Sequence, residues 1–483
     1  MRGLRKSSQI AVQRNAEKRR EEELSANLCV PLRLCVKSSP PASKAGYSSA
    51  RAKGLRLLGT ATRRLSSFCI LPSAFPASRV AIAGGGAAGF FAAIACAEAA
   101  PDLEVILLEK GPQCLSKVLI SGGGRCNVTH ACFDPREFAA HYPRGEREMI
   151  GLLQRFQAAD TVAWFESRGV KLKTERDGRM FPTTNSSQTI IDCLLGAAKA
   201  AGVKLHLNRG LAAVTKRPDG RFELGLSDET TLTCDRLLLA TGGCRASALG
   251  QVAVAFGHTL QPPLPSLFTF HIETPWLREL AGVSVEPVEI SVPGTSLRQP
   301  GPVLLTHWGL SGPAILRLSS WGARELHGFN YCFPLRVNWL PHLTSEALAA
   351  QFDSRRKTQP ARLVANAPLA SLSARLWERL VRASGLPGDT RWAALSRAGR
   401  HQLIQQLQRT ELPVTGKSLN KDEFVTCGGV RLSEVNLKTM ESRLCPALHF
   451  AGELLDIDGL TGGFNFQAAW TTGWIAGNAM SGM

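Results

Sequence analysis

Arg79-Val-Ala-Ile-Ala83 leads directly into Gly84-Gly-Gly86-Ala-Ala-Gly89, and Leu107-Leu108-Glu109-Lys110 follows, its acid 25 residues after Gly84. The run reads as strand, glycine turn, helix, strand and acid, the geometry a nucleotide cofactor requires. Gly84 permits the tight turn, Gly86 lets the backbone approach a pyrophosphate, and Gly89 lets the helix lie close to the strand. Ala87 and Ala88 open that helix, predicted to run from about Ala88 to Ala100, with its positive end toward phosphate. Glu109, beside Lys110, stands where a carboxylate accepts hydrogen bonds from adenosine ribose hydroxyls. An acid there also disfavours a 2′-phosphate.

Outward from this unit, β and α elements alternate, which predicts an α/β doubly wound parallel sheet. Val203–Leu207 reads as a strand, Gly220–Leu226 with Thr231–Thr233 as a small meander, and Arg236–Gly243 as a buried strand ending in a glycine pair. Between Pro265 and Thr415 the character changes. Alternating strands (Val285–Val292, Phe333–Trp339) mix with helical stretches (Ala374–Val381, Arg400–Leu407). This predicts an inserted α+β domain over residues 265–415, inside a discontinuous Rossmann-like domain made of residues 79–264 and 416–483. Leu448–Gly452 returns as a strand, and Phe464–Met480 forms a final helix.

The chain of 483 residues carries a formal net charge of +18. Residues 1–78 hold 15 Lys and Arg against 4 Asp and Glu, and the remainder 42 against 35. The excess is therefore mostly in a tail, and the body is only mildly basic. The tail, rich in Arg and Ser, lacks any acid from Lys37 to Arg79, which suits an organellar transit peptide. The run Glu17–Glu23 fits that reading poorly, and a disordered or spuriously translated extension fits better. A cytoplasmic location is expected, organellar if the tail is a targeting signal. No apolar stretch reaches the ~18 residues of a membrane span. The 13 cysteines include no C-x-x-C pair and no Cys/His cluster at ligand spacing, which argues against structural zinc and a disulfide framework. No oligomeric state can be read from the sequence.

Two further stretches carry chemistry. Ser121-Gly122-Gly123-Gly124-Arg125-Cys126-Asn127 places three glycines in succession, costly in entropy unless backbone must press against a flat or anionic ligand. Lys117 lies four residues before it. The second is Phe450-Ala-Gly452-Glu453-Leu-Leu-Asp456-Ile-Asp458-Gly-Leu-Thr-Gly462-Gly463-Phe464-Asn465. A strand delivers Gly452 and Glu453, a glycine-rich loop follows, and a second helix begins near Asn465. Asp456 is the candidate for a ribitol or pyrophosphate contact, and Asp458 for a turn cap instead.

With Thr241-Gly242-Gly243, the segment Phe424–Gly477 and Leu305-Thr-His307-Trp-Gly-Leu-Ser-Gly-Pro313, these motifs resemble the BaiN/YhiN-like flavoproteins, which include aminoacetone oxidase-like enzymes. The resemblance covers residues 79–483. It implies bound FAD, held by the glycine turns, Thr241, Glu453 and the second helix terminus, and an oxidoreductase using NAD(P)H transiently, since no second GxGxxG is present. Activities implied are reduction of an activated C=C bond, oxidation of small amino ketones, or reduction of uridine in ribosomal RNA. A small-molecule C=C reductase is the first expectation. For RNA, the insert supplies Arg317, Arg355, Arg356, Lys357 and Arg362. His307 is expected either to face the flavin as proton donor or to sit structurally between domains, with Arg125 and Asn127 polarising the flavin or a carbonyl. Cys126 is read as packing. Two departures stand out: Cys244–Gly250 is shorter than the corresponding loop in many relatives, and His130 replaces the usual Asn and receives no role.

Overall fold

A computed structural model of the protein describes residues 78–243, 249–369, 371–418 and 425–482. The N-terminal tail, most of the short loop after Gly243, and Phe424 lie outside the described residues. Among those described, the central sheet has seven strands. Arg79–Ala83 lies between Glu104–Leu108 and Arg236–Leu239, both parallel to it. Lys204–His206 extends the sheet on one side and Leu448–Phe450 on the other, also in parallel. Two short antiparallel strands, Glu441–Ser442 and Val435–Asn436, finish that edge. The apolar runs of the inner strands follow from burial on both faces.

The Ala87–Ala99 helix is buried from Ala88 to Ala97. It sits between the sheet and the Phe464–Ser481 helix. Small residues allow the two helices to approach: a Cβ on Gly473 would lie 2.4 Å from the Ala88 carbonyl oxygen, and one on Gly477 the same distance from that of Ala92. Aromatic rings close the layer, with Phe91 4.5 Å from Trp164 and 4.8 Å from Trp470.

The chain leaves this domain along Leu260–Ser266 and returns along Val425–Val430. These strands pair antiparallel, from Leu260 opposite Val430 to Ser266 opposite Val425. Beyond them, six of the described strands form a closed barrel. Thr269–Ile272 pairs with Gly309–Ser311 on one side and Thr410–Ser418 on the other. The insert is thus a barrel with helices packed on it, a closure the sequence pattern did not reveal. It has its own core, including the fully buried Trp339, Trp377 and Trp392. The indole of Trp339 donates to the Thr410 hydroxyl at 2.8 Å and that of Trp377 to the Val364 carbonyl at 2.7 Å.

A buried ion pair sits where the two cores meet. Arg144 grips the wholly buried Asp458 through two donors, and also donates to the Ser266 hydroxyl at 3.2 Å and to the Ser320 carbonyl. Ser266 ends the outgoing strand and Ser320 belongs to the insert's Pro313–Trp321 helix. Burial pushes the Asp458 carboxyl up, and the guanidinium pulls against it. Asp458 is therefore a junction residue. No helix among the described residues is long and apolar enough to cross a membrane.

Candidate functional site

Where the parallel strands end, a cleft of about 1200 Å³ opens, lined by the glycine turn, the Ser121 loop, the Thr461–Asn465 loop and the insert helix. Open α/β sheets bind ligands at this edge. Gly84 (φ +118°) tolerates the approach of the next strand, since a Cβ would lie 2.3 Å from the Ala240 carbonyl oxygen. Gly89 packs the helix onto the turn: its Cβ would lie 1.9 Å from the Gly84 oxygen. Gly86 differs from both, because a Cβ there meets nothing within 4 Å and would project into free space on the cleft wall. Glu109 accepts from the Gly85 N–H at 2.9 Å and the Gly111 N–H at 2.8 Å, which fixes the acid beside the turn.

The Ser116–Gly124 helix breaks at Ser121, and Gly122, Gly123 and Gly124 follow at positive φ. Ser121 and Gly122 line the cleft; Gly123 and Gly124 do not. Asn127, with its amide oxygen toward Gly463, accepts that N–H at 2.9 Å and donates to the Thr129 carbonyl at 3.0 Å. The first glycine loop is thereby tied to the terminus of the Phe464–Ser481 helix. On the facing wall, Lys117 Nζ meets Glu453 Oε2. Asn465 lines the cleft but uses its amide to close its own loop on Gly459, at 2.8 Å in both directions.

Most expected residues converge here: Gly84, Gly86, Ala87, Ala88, Glu109, Lys110, Lys117, Ser121, Gly122, Asn127, Thr241, Gly242, Gly452, Glu453, Gly462, Gly463, Phe464 and Asn465. Others do not line the cleft. Asp456, expected at a ribitol, is instead clamped by Arg324 at 2.8 and 2.9 Å. Arg125 pairs with Glu175 at 2.6 Å and lies over the Phe181 ring at 4.0 Å. Cys126 is fully buried, and burial pushes its thiol up to about 12, so it packs and does not react. His307, expected over the cofactor, is exposed in the turn between Arg298–Thr306 and Gly309–Ser311, outside the cleft lining. The same motif does reach the cleft through Pro313, followed by Arg317 and Trp321 on the helix it begins.

Sequence reasoning passed over three groups. His130 and His141 line the cleft, both against the Phe464 ring. Arg179 and Asp177 enter from a hairpin that carries no motif. Trp321, 39% exposed, faces the opening from the insert.

The residues present fit FAD. Thr241 Oγ1 is buried without a hydrogen-bond partner, an orphan that a ribityl or phosphate oxygen would satisfy. The free space beside Gly86 accepts a pyrophosphate, and two helices of 13 and 18 residues begin at the cleft, offering N–H donors to anionic groups. Glu109, held beside the turn, would lie at the adenosine end.

The sequence matches the HI0933-like protein Rossmann domain over residues 78–479. It is 32% identical over 403 residues to a ribosomal RNA dihydrouridine synthase of Escherichia coli (strain K12), covering 81% of this chain and 95% of that one. To a 3-dehydro-bile acid delta(4,6)-reductase of Clostridium scindens it is 28% identical over 410 residues, covering 83% and 98%. A ribosomal RNA dihydrouridine synthase of Haemophilus influenzae is 28% identical over 411 residues, with the same coverage. A glycine turn, a second helix terminus and a family match spanning both domains lead to one conclusion: the chain belongs to the HI0933-like family and is an FAD-dependent oxidoreductase.

Proposed function

We propose that the protein is an NAD(P)H-dependent reductase of an activated C=C bond. The observation that carries this is the composition of the cleft, in which the nucleotide turn shares one space with Pro313, Arg317 and Trp321 of the insert. That space has a wall for the cofactor and a separate, partly apolar wall for an organic substrate. Bound there, FAD would supply two-electron hydride chemistry between NAD(P)H and the substrate. The chain's own residues orient both partners: Glu109 fixes the adenosine end, Asn127 locks the two glycine loops together, and Trp321 offers an aromatic face. The cysteine of the Ser121–Asn127 loop, Cys126, is fully buried, so a dithiol relay is not part of the reading. Two of the relatives' names, a delta(4,6)-reductase and a dihydrouridine synthase, denote saturation of a conjugated C=C bond.

Anaerobic stopped-flow tests the reading. NADH or NADPH should bleach the flavin quickly, and an enone or uridine should restore its colour. Bleaching by amino ketones alone, with reoxidation only by oxygen, would favour an oxidase and remove this proposal.

A second reading narrows the substrate to a uridine in ribosomal RNA. The observation in its favour is that Arg179 and Arg317 both line the cleft, where cations can meet a phosphate backbone. The other insert cations contribute nothing to that wall: Arg355 donates to the carbonyls of Ala367 and Pro368, and Arg362 to that of Asn366. Mass spectrometry of ribosomal RNA from a deletion strain decides it. A missing dihydrouridine restored by the gene supports RNA; unchanged RNA leaves a small molecule.

A further inference from the structure

We propose that His141 gives the substrate its proton and that His130 holds the substrate as a hydrogen-bond acceptor, the two imidazoles forming one site beside Phe464. This rests on the C=C reductase reading. Saturating such a bond adds a hydride to one carbon and a proton to the other, so a proton donor must touch the substrate.

The cleft offers few candidates. Lysine and arginine side chains as a class are poor proton donors at neutral pH, and the acids are engaged, Glu109 with backbone N–H groups, Glu453 with Lys117 and Asp177 with Arg179 at 2.7 Å. Tyr142 is buried behind the wall, its hydroxyl donating to the Phe464 carbonyl at 2.6 Å. His307 is on the exposed turn. Two histidines remain among the described residues that line the cleft.

Their setting is built. The His141 ring lies 4.2 Å from that of Phe464, inclined by 9°, and the His130 ring 4.9 Å from it at 22°. The two imidazoles are 6.1 Å apart. Phe464 begins the helix whose terminus faces the cleft, so both histidines stand where cofactor and substrate walls meet. The Leu460 N–H donates to the His141 carbonyl at 2.9 Å, tying that histidine to the glycine-rich loop. His130 is wedged against Gly178, where any Cβ would lie 2.3 Å from its ring.

Hydrogen bonds divide the roles. His141 Nδ1 lies 3.0 Å from the Glu137 carbonyl, so it carries hydrogen and leaves Nε2 to exchange a proton with a ligand. His130 Nε2 lies 3.0 Å from the Asp177 carbonyl, so hydrogen is on Nε2 and Nδ1 is the bare acceptor. That Nδ1 is buried without a partner. Burial also holds His130 below the usual histidine range, which keeps it neutral and accepting. A ligand N–H or O–H is the missing donor. In the step itself, the hydride that NAD(P)H supplies would form a C–H bond at one carbon as the C=C π bond breaks, leaving its electron pair on the other carbon. At the other carbon a C–H bond forms as the His141 Nε2–H bond breaks. Neutral His141 then regains its proton from solvent.

The test uses FAD-loaded wild type, His141→Gln, His141→Ala, His130→Gln and His307→Ala, with NADPH as reductant and cyclohexenone and uridine as probes. His141→Gln should keep FAD and its reduction by NADPH, bind the probes with unchanged Kd by flavin absorbance, and slow reoxidation by roughly 100-fold. Added imidazole should partly restore His141→Ala. His130→Gln should weaken probe binding, and His307→Ala should change nothing. Full-rate reoxidation in both His141 variants overturns the proposal, as does loss of FAD from both, which would make His141 structural. If wild type is reoxidised by neither probe nor by any RNA fragment, the reductase reading falls first.

Discussion

Lys117 Nζ lies 2.5 Å from Glu453 Oε2, a bond between segments 336 residues apart in the chain. Both residues line the cleft together with Thr241 and Gly242. Lys117 is largely exposed, so its pairing should add less than about 1 kcal/mol to stability. Its charge toward a bound dinucleotide is a different matter. Lys117→Met should leave the melting temperature nearly unchanged while weakening FAD retention, read as flavin released on dilution. Equal retention would make the pair purely structural.

The three glycines of the nucleotide turn should fail in different ways. A side chain at Gly86 projects into the cleft without touching protein, so Gly86→Val should fold and stay colourless. A side chain at Gly89 collides with the turn at 1.9 Å, so Gly89→Val should lose soluble protein. Glu109→Ala should bind FAD more weakly without abolishing it. Circular dichroism with flavin absorbance separates these outcomes, and a yellow Gly86→Val protein would contradict the pyrophosphate assignment.

Removing Arg144 strands a buried carboxylate. Arg144→Met should cost about 3–5 kcal/mol, because Asp458 loses its counter-charge without regaining water. The double variant Arg144→Met with Asp458→Leu should recover much of that loss, and urea denaturation of the four proteins in the cycle measures it. Additive losses would mean the pair is not coupled.

Acid should weaken the sheet edge through His449. Burial lowers its imidazole from 6.5 to about 4. Below pH 6.5 the unfolded chain therefore takes up a proton that the folded chain refuses, and stability falls until about pH 4. Between pH 7 and pH 5 this amounts to roughly 2 kcal/mol. His449→Gln should flatten the slope, leaving a remainder from His258, which burial lowers likewise. A slope unchanged by the substitution would exclude His449 as its source.

The nucleotide turn, its acid and both glycine loops were legible because each is local: a few residues at fixed spacing must bend the backbone in one way. The parallel sheet followed from the same logic. The barrel was not legible, because its closure depends on Phe270 pairing with Lys417 across a long stretch of intervening chain. Asp456 and His307 lie outside the cleft lining for a related reason. Each lies near residues that reach the cleft, but a turn of backbone directs one to Arg324 and leaves the other exposed. His141 carries no motif, and His130 stood out only as a departure from the family pattern. They become neighbours only when Phe464, more than 300 residues later, folds between their segments.

Leu260 and Val430 stand opposite each other where the outgoing and returning strands begin and end. Paired strands run about 5 Å apart, so the chain enters and leaves the insert at two adjacent points. The barrel can thus be regarded as a cartridge. A few flexible residues would span the gap between the two strands, with Arg144 and Asp456 losing their partners Ser320 and Arg324, and another chain of similar end spacing could be seated in its place. The cofactor's reactivity and the choice of what meets it would then be inherited separately.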